Sequence, residues 1–387
     1  MNSELNNKLL ELCQVKEKES KLIADIAVER LINKGADVNA VLRDDDEELS
    51  ALVVALVNDN PEIAKVLIEN GADVNNTGTD IVDDYQSWEF RSGHGKVPRK
   101  RCGIIYYNPV FLASRKGYFD VLKLLIEHGA RYETNNSLGS RKPDTYSCYG
   151  DPFMSPINSA ACNGYYDVVK LLYEKFPKSR DSFSLLNRAV EGGNAEIVKY
   201  LLEKGVKSIY NPPSYKYTST LAYAANVSNV EVVKVLLESG LKADDIGDQL
   251  PEENPHATTP LMMAIHAGKF DIVKLLVDNG ADINAKDYHG YTPIEYAALC
   301  RDAGMINYLL ETAKIQGKDI LTEEETENLV QMIDHPIQLT GFTYNRNEGS
   351  VWFGAKENDI AKQAIKDSKQ VLKNHGIVLK DEESHTL

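Results

Sequence analysis

An all-α solenoid of stacked helix pairs is the fold this sequence predicts, and three recurrences predict it. The phrase Leu31-Ile-Asn-Lys-Gly35-Ala-Asp-Val-Asn39 returns as Leu67-Ile-Glu-Asn-Gly71-Ala-Asp-Val-Asn75, as Leu125-Ile-Glu-His-Gly129-Ala130 and as Leu276-Val-Asp-Asn-Gly280-Ala-Asp-Ile-Asn284. A second phrase leads into the closing glycine from twelve residues upstream. It reads Gly117-Tyr-Phe-Asp-Val-Leu-Lys-Leu-Leu125, Gly193-Asn-Ala-Glu-Ile-Val-Lys-Tyr-Leu201 and Gly268-Lys-Phe-Asp-Ile-Val-Lys-Leu-Leu276. The third recurrence is Thr259-Pro-Leu-Met-Met-Ala264 and Thr292-Pro-Ile-Glu-Tyr-Ala297, spaced 33 residues apart.

Each phrase names one element of a unit. Threonine followed by proline opens the first helix, because proline's missing N–H costs nothing in a first turn. Alanines at Ala264, Ala267, Ala297 and Ala298 allow this helix a close neighbour. The second phrase sets apolar residues at i, i+1, i+3 and i+4 between two glycines, which is one short amphipathic helix. Its early acidic residue suits the positive helix end, and the closing glycine suits a left-handed cap. Weaker copies end at Gly205 and Gly240, and in another Phe176 stands where glycine belongs. Eight copies result, ending near residues 39, 75, 131, 176, 207, 242, 285 and 314.

A helix pair of this period, with Thr-Pro-Leu at its start and Gly-Ala-Asp-Val-Asn at its end, resembles the ankyrin repeat. The resemblance implies a repeat domain over 1–314 that holds another protein on a common frame. It also implies that the segment between copies is a finger lying along the concave side. Where the family carries histidine after Thr-Pro-Leu, this chain has Met262 and Glu295, so that side-chain hydrogen bond is expected to be absent. The first copy is polar, with Asn2, Glu4, Asn7 and Lys8 facing outward as a terminal capping unit requires.

The spacing between copies is uneven, and every surplus falls in the finger phase. Insertions occupy about 76–107, 131–153, 208–218 and 243–257. Insertions at one phase emerge on one side, which marks a binding face. The first three hold nine of the 20 tyrosines: Tyr85, Tyr106, Tyr107, Tyr132, Tyr146, Tyr149, Tyr210, Tyr215 and Tyr217. Trp88, Phe90, Arg91, Arg99, Lys100 and Arg101 lie there too, and Tyr288 sits in the last finger. Aromatic and arginine side chains dominate binding hot spots, so these are the expected partner contacts. The competing account is that the rings pack long loops onto the scaffold. The basic run Lys96-Val-Pro-Arg-Lys-Arg101 pairs with acidic or phosphorylated partner groups, serves as a nuclear-import signal, or is a solvated loop offsetting Asp80, Asp83, Asp84 and Glu89.

Composition bounds the rest. A formal charge of −15 disfavours nucleic acid and anionic lipid as partners. No apolar run reaches the roughly 20 residues that span a bilayer, and the start lacks a secretory pattern. Five scattered cysteines without a C-x-x-C pair read as reduced thiols of a cytoplasmic monomer. No phosphate loop, H-E-x-x-H, G-x-S-x-G or kinase signature occurs, so no catalytic, metal or cofactor residue is assigned and no cofactor is expected.

After residue 314 the pattern stops. Residues 315–387 read as a small cap: a helix from Thr322, a hairpin over 338–353 containing Trp352, an amphipathic helix closed by Gly376, and an acidic tail. The tail is similar to the translocation signals of type IV bacterial effectors, which implies a secreted protein acting on a eukaryotic host protein. Two alternatives stay open. One is an effector enzyme whose repeats deliver a C-terminal catalytic module, and the other is an inhibitor or structural protein of the producing cell.

Overall fold

The computed structural model describes residues 2–16, 18–44, 47–76, 78–91, 94–132, 155–177, 185–206, 219–246, 258–287, 290–317, 321, 323–334, 359–377 and 379. Over 78–91 and 94–107 it is the backbone that is described.

Among the described residues, eight helix pairs follow one another in the sequence: α1 (Asn2–Cys13) with α2 (Lys18–Asn33), α3 (Ala51–Val57) with α4 (Pro61–Glu69), α5 (Pro109–Lys116) with α6 (Phe119–Glu127), and α7 (Pro156–Cys162) with α8 (Tyr166–Lys175). Then come α9 (Leu185–Glu191) with α10 (Ala195–Glu203), α11 (Thr220–Val227) with α12 (Val230–Glu238), α13 (Pro260–His266) with α14 (Phe270–Asp278), and α15 (Pro293–Leu299) with α16 (Ala303–Gln316). The chain forms two compact units, 1–197 and 198–387. In the first, α1, α3, α5, α7 and α9 pack in one row while α2, α4, α6 and α8 follow in a second. In the second unit α11, α13 and α15 make the inner row, and α12 packs beside α14.

Local chemistry makes these pairs. Ser50 caps α3 by accepting from the Val53 amide, and Thr259 caps α13 by accepting from Met262. The inner helices are short and buried almost throughout, as Ala51–Leu56 and Pro260–Ile265 are. The outer helices bury one stripe: in α4 Ile63, Ala64, Leu67 and Ile68 are buried while Glu62 and Glu69 face water. Each buried leucine or isoleucine of this kind contributes about 1.5–3 kcal/mol.

Gly71 shows how an outer helix ends. Its φ of 88° lies in the left-handed region, and the Ala72 amide turns back onto Leu67 O at 2.9 Å while the Gly71 amide meets Ile68 O at 3.0 Å. Phe176, which replaces this glycine in the fourth copy, takes an extended φ of −119° instead. On the turn side, neighbouring pairs are tied by polar clasps. Asn60 Nδ2 donates to Cys13 O at 2.9 Å, Tyr118 donates to Asp59 Oδ1 at 2.8 Å beside the Lys116–Asp59 ion pair, and Asn194 Nδ2 donates to Gly164 O at 3.1 Å.

Beyond α16, α17 (Glu323–Asp334) packs beside α15, and α18 (Asp359–Asn374) packs beside α16 and α17. The two continue both rows as a ninth pair. Arg301 fixes the end of α17, donating to Ile333 O at 3.0 Å and Asp334 O at 3.3 Å, and Lys369 meets Asp334 at 2.8 Å. The hairpin expected over 338–353 and the tail beyond residue 379 lie outside the described residues.

Strands appear where the sequence was read as a loop. β1 (Val41–Asp44), β2 (Glu47–Ser50), β3 (Gly78–Arg91) and β4 (His94–Tyr107) form one antiparallel sheet in the order β1-β2-β3-β4. The solvated-loop account of Lys96–Arg101 is therefore corrected: these residues belong to a strand. The physical reason is the β-branched and aromatic content at both ends of the segment, Ile81-Val82 in β3 and Ile104-Ile-Tyr-Tyr107 in β4.

Candidate interaction surface

The fingers grow from roots that the Gly-Ala-Asp-Val-Asn phrase builds. Its alanine is buried against the helix end, as Ala36, Ala72 and Ala281 are. Its aspartate folds onto the phrase itself: the amides of Asn39, Asn75 and Asn284 donate to Asp37, Asp73 and Asp282 Oδ1 at 2.9, 3.0 and 3.1 Å. Its asparagine then reaches the next copy. Asn39 Oδ1 accepts from the Asp73 amide at 2.8 Å, and Asn75 Oδ1 accepts from the Arg131 amide at 2.8 Å. Asn6 serves Asp37 in the same way at 2.9 Å, and Asp244 takes the Asp282 amide at 2.9 and 3.1 Å. These bonds set the spacing of neighbouring finger roots within each unit.

From the roots the fingers rise and return into an inner helix. The Ala51 amide bonds to Ala40 O at 2.8 Å, which closes the first finger onto α3. The second finger returns through Asn108, whose side chain accepts from Val110 and Phe111 at 2.8 and 3.2 Å. In the last finger Asp287 holds a tight turn, accepting the Tyr291 amide at 2.8 Å on one carboxylate oxygen and the Tyr296 hydroxyl at 2.9 Å on the other. Burial, and then Asp287, hold the Tyr296 phenol well above its ordinary pKa. Thr292 and Glu295 form a capping box there, with the Thr292 amide and hydroxyl both 2.7 Å from Glu295 Oε2. Glu295, read from the sequence as a lost hydrogen bond, supplies one of its own. Met262, at the other departure, is fully buried.

The hairpin of β3 and β4 is the longest finger, with 14 residues in each strand. Its register sets Tyr85 opposite Arg101, Gln86 opposite Lys100, Ser87 opposite Arg99 and Trp88 opposite Pro98, with irregularities between Val82 and Tyr85 and around Phe90. No acidic residue stands directly opposite a basic one of Lys96–Arg101 in that register. Tyr106 and Tyr107 lie at its base, opposite Thr79 and Gly78, and Arg91 lies at its tip opposite His94. The sheet joins the first finger to the base of the hairpin, with Glu47 opposite Asp80 and Glu48 opposite Thr79, below the basic run of β4.

Tyr132 alone among the expected contacts has a described side chain. Its ring lies 5.3 Å from that of Phe176 at a 38° tilt, and burial raises its phenol pKa. That is a packing position between two copies. Tyr146, Tyr149, Tyr210, Tyr215, Tyr217 and Tyr288 lie outside the described residues. Sequence reading missed the hairpin itself. Its signal was present: two residues, Ser92-Gly93, separate apolar-ended runs of equal length. Among the described residues no group of His, Cys, Asp or Glu is placed to hold a metal, and no helix is long and apolar enough to cross a membrane.

A family model described as ankyrin repeats in three copies matches residues 157–249 and 221–320, and a single ankyrin repeat model matches 47–79. The chain belongs to the ankyrin-repeat family. This ankyrin-repeat chain is 28% identical over 163 residues to a putative ankyrin repeat protein of Rickettsia bellii, covering 42% of this chain and 55% of that protein. It is 36% identical over 77 residues to a putative ankyrin repeat protein of fowlpox virus, covering 19% and 14% of the two. The chain spans about half or less of the length of these curated relatives. Among solved structures, the human ASB11 ankyrin repeat domain is 20% identical with a TM-score of 0.39, covering 79% of this chain and 96% of that one. Ankyrin repeats are protein-binding scaffolds.

Proposed function

We propose that this chain is a scaffold that holds a partner protein on its finger side, with the β3–β4 hairpin as the main contact. The observation that carries the reading is the single sheet β1–β4, in which the first finger and the first insertion join. It gathers Tyr85, Trp88, Phe90, Arg91, Arg99, Lys100, Arg101, Tyr106 and Tyr107 on one projecting element. Binding needs no reaction here: a scaffold acts by occlusion, tethering or bringing proteins together. The remaining insertions, with Tyr146, Tyr149, Tyr210, Tyr215, Tyr217 and Tyr288, fall at the same phase of the repeat in the sequence and are assigned the same binding role. On this reading the protein is a secreted effector with a eukaryotic target, which the acidic tail supports.

The test is capture from a eukaryotic lysate by the purified chain, beside a variant in which 78–107 is replaced by a short Gly-Ser turn. Circular dichroism and a thermal melt check that the variant keeps its helices. The expected result is a partner retained by the full chain and lost at least tenfold by the variant. Equal retention moves the contact to the helices or to 315–387, and capture solely from the producing organism's lysate removes the host-directed part.

A further inference from the structure

We infer that the free edge of β4 takes up an extended acidic segment of the partner as a fifth, antiparallel or parallel strand of the sheet. This rests on the proposed function and names the chemistry by which it would work. Three observations carry it.

First, β4 is an edge. Among the described residues it has β3 as its sheet neighbour on one side and no strand on the other, over 14 residues. At about 3.3 Å per residue that is roughly 46 Å of strand. Alternate N–H and C=O groups along it point away from β3, and such a row is a template for a further strand.

Second, the edge is selective in charge. Lys96, Arg99, Lys100 and Arg101 concentrate four positive charges within six residues of a chain whose formal net charge is −15. Like charges brought opposite one another in a sheet are unfavourable, so β4 of one copy repels β4 of another. Pro98 removes one donor, a further guard against indiscriminate pairing. The same charges attract an acidic strand. An edge protected against itself and against basic strands remains open to one class of segment.

Third, the register sets no acid of β3 directly opposite a base of this run. The residues opposite 97–101 are Glu89, Trp88, Ser87, Gln86 and Tyr85, and the one acid among them faces Val97. Asp44 of β1 and Glu47 and Glu48 of β2 lie two or more strands away from β4.

The experiment uses the full chain and two blocked peptides, Thr-Glu-Val-Glu-Val-Glu-Thr-Glu and its lysine-for-glutamate counterpart. Binding is followed by titration calorimetry, and backbone amide exchange is followed over 94–107. The acidic peptide is expected to bind and to slow exchange of β4 amides at least tenfold, whereas the lysine peptide does neither. The double variant Lys100→Glu/Arg101→Glu is expected to weaken the acidic peptide at least tenfold and to accept the lysine peptide. Binding that charge reversal leaves unchanged, or protection confined to the helices, overturns the inference. So does a single-stranded oligonucleotide that binds more tightly than the acidic peptide without slowing β4 exchange, because the strand would then be a phosphate contact. Capture of the partner separates this inference from the reading beneath it. Loss of capture on removing 78–107 but full capture by the charge-reversed double variant sinks the edge-strand inference alone.

Discussion

Alanine at Gly192 is expected to destabilise the protein by about 3 kcal/mol and to lower its melting temperature by roughly 6–12 °C. Gly192 follows α9, where the inner helices α7 and α9 come together. A Cβ there would lie 2.5 Å from both Ala161 O and Cys162 O. Those atoms are backbone carbonyls and cannot rotate away as a flexible side chain would. The end of α7 must therefore move, which disturbs the burial of Ala160, Ala161, Ala189 and Val190, all fully buried. Gly304→Ala is the control. Its Cβ would meet only Asp302 Oδ1, at 3.3 Å, in the first turn of α16 where alanine favours the helix. A thermal melt of the two variants is expected to separate them clearly, with Gly304→Ala within about 1 kcal/mol of the parent. Equal melts would mean that α7 and α9 do not approach as closely as described.

The second large effect is expected at Tyr296. It is 1% exposed in α15, which packs against both α13 and α16, and its hydroxyl donates to Asp287 of the last finger. Tyr296→Ala removes a buried ring and is expected to cost about 3–5 kcal/mol. Tyr296→Phe keeps the ring and loses the hydrogen bond, for about 1–2 kcal/mol. Denaturant melts of the two variants divide packing from polar anchoring. If the phenylalanine variant loses as much as the alanine variant, the anchoring bond dominates and the finger turn, not the core, is the weak point. The Tyr296 phenol also gives a sign for pH. Its pKa is raised in the fold, so its contribution is complete below the unfolded value near 10 and is lost as pH rises beyond it.

Much of this was legible in the sequence because a repeat states its own rules several times. Gly71 and Gly280 announced left-handed helix ends, Pro260 and Pro293 announced first turns, and the helix pairs fall where those residues put them. Asn39 and Asn75 were visible as part of a phrase, but their reach to the next copy was not. A bond spanning 34 or 56 residues leaves no local trace. Glu295 was read as a loss, because comparison with a family pattern registers the missing histidine and not the capping box three residues from Thr292. The hairpin was missed for a different reason. Its ends are strand-like, but its centre, Asp83 to Arg101, is polar and charged, and a strand stabilised by neighbours on its sheet need not alternate in sequence. Tyr132 shows the limit of composition as a guide: an aromatic in a finger segment packs on Phe176.

The claim on which the rest depends is that a partner meets the finger side. Amide hydrogen exchange of the chain with and without its captured partner tests it most directly. Protection is expected over 37–50 and 73–107, with the outer helices α4 and α6 exchanging as they do in the free chain. Protection of α4 and α6 with the fingers unchanged would contradict it and place the partner on the opposite side of the repeats.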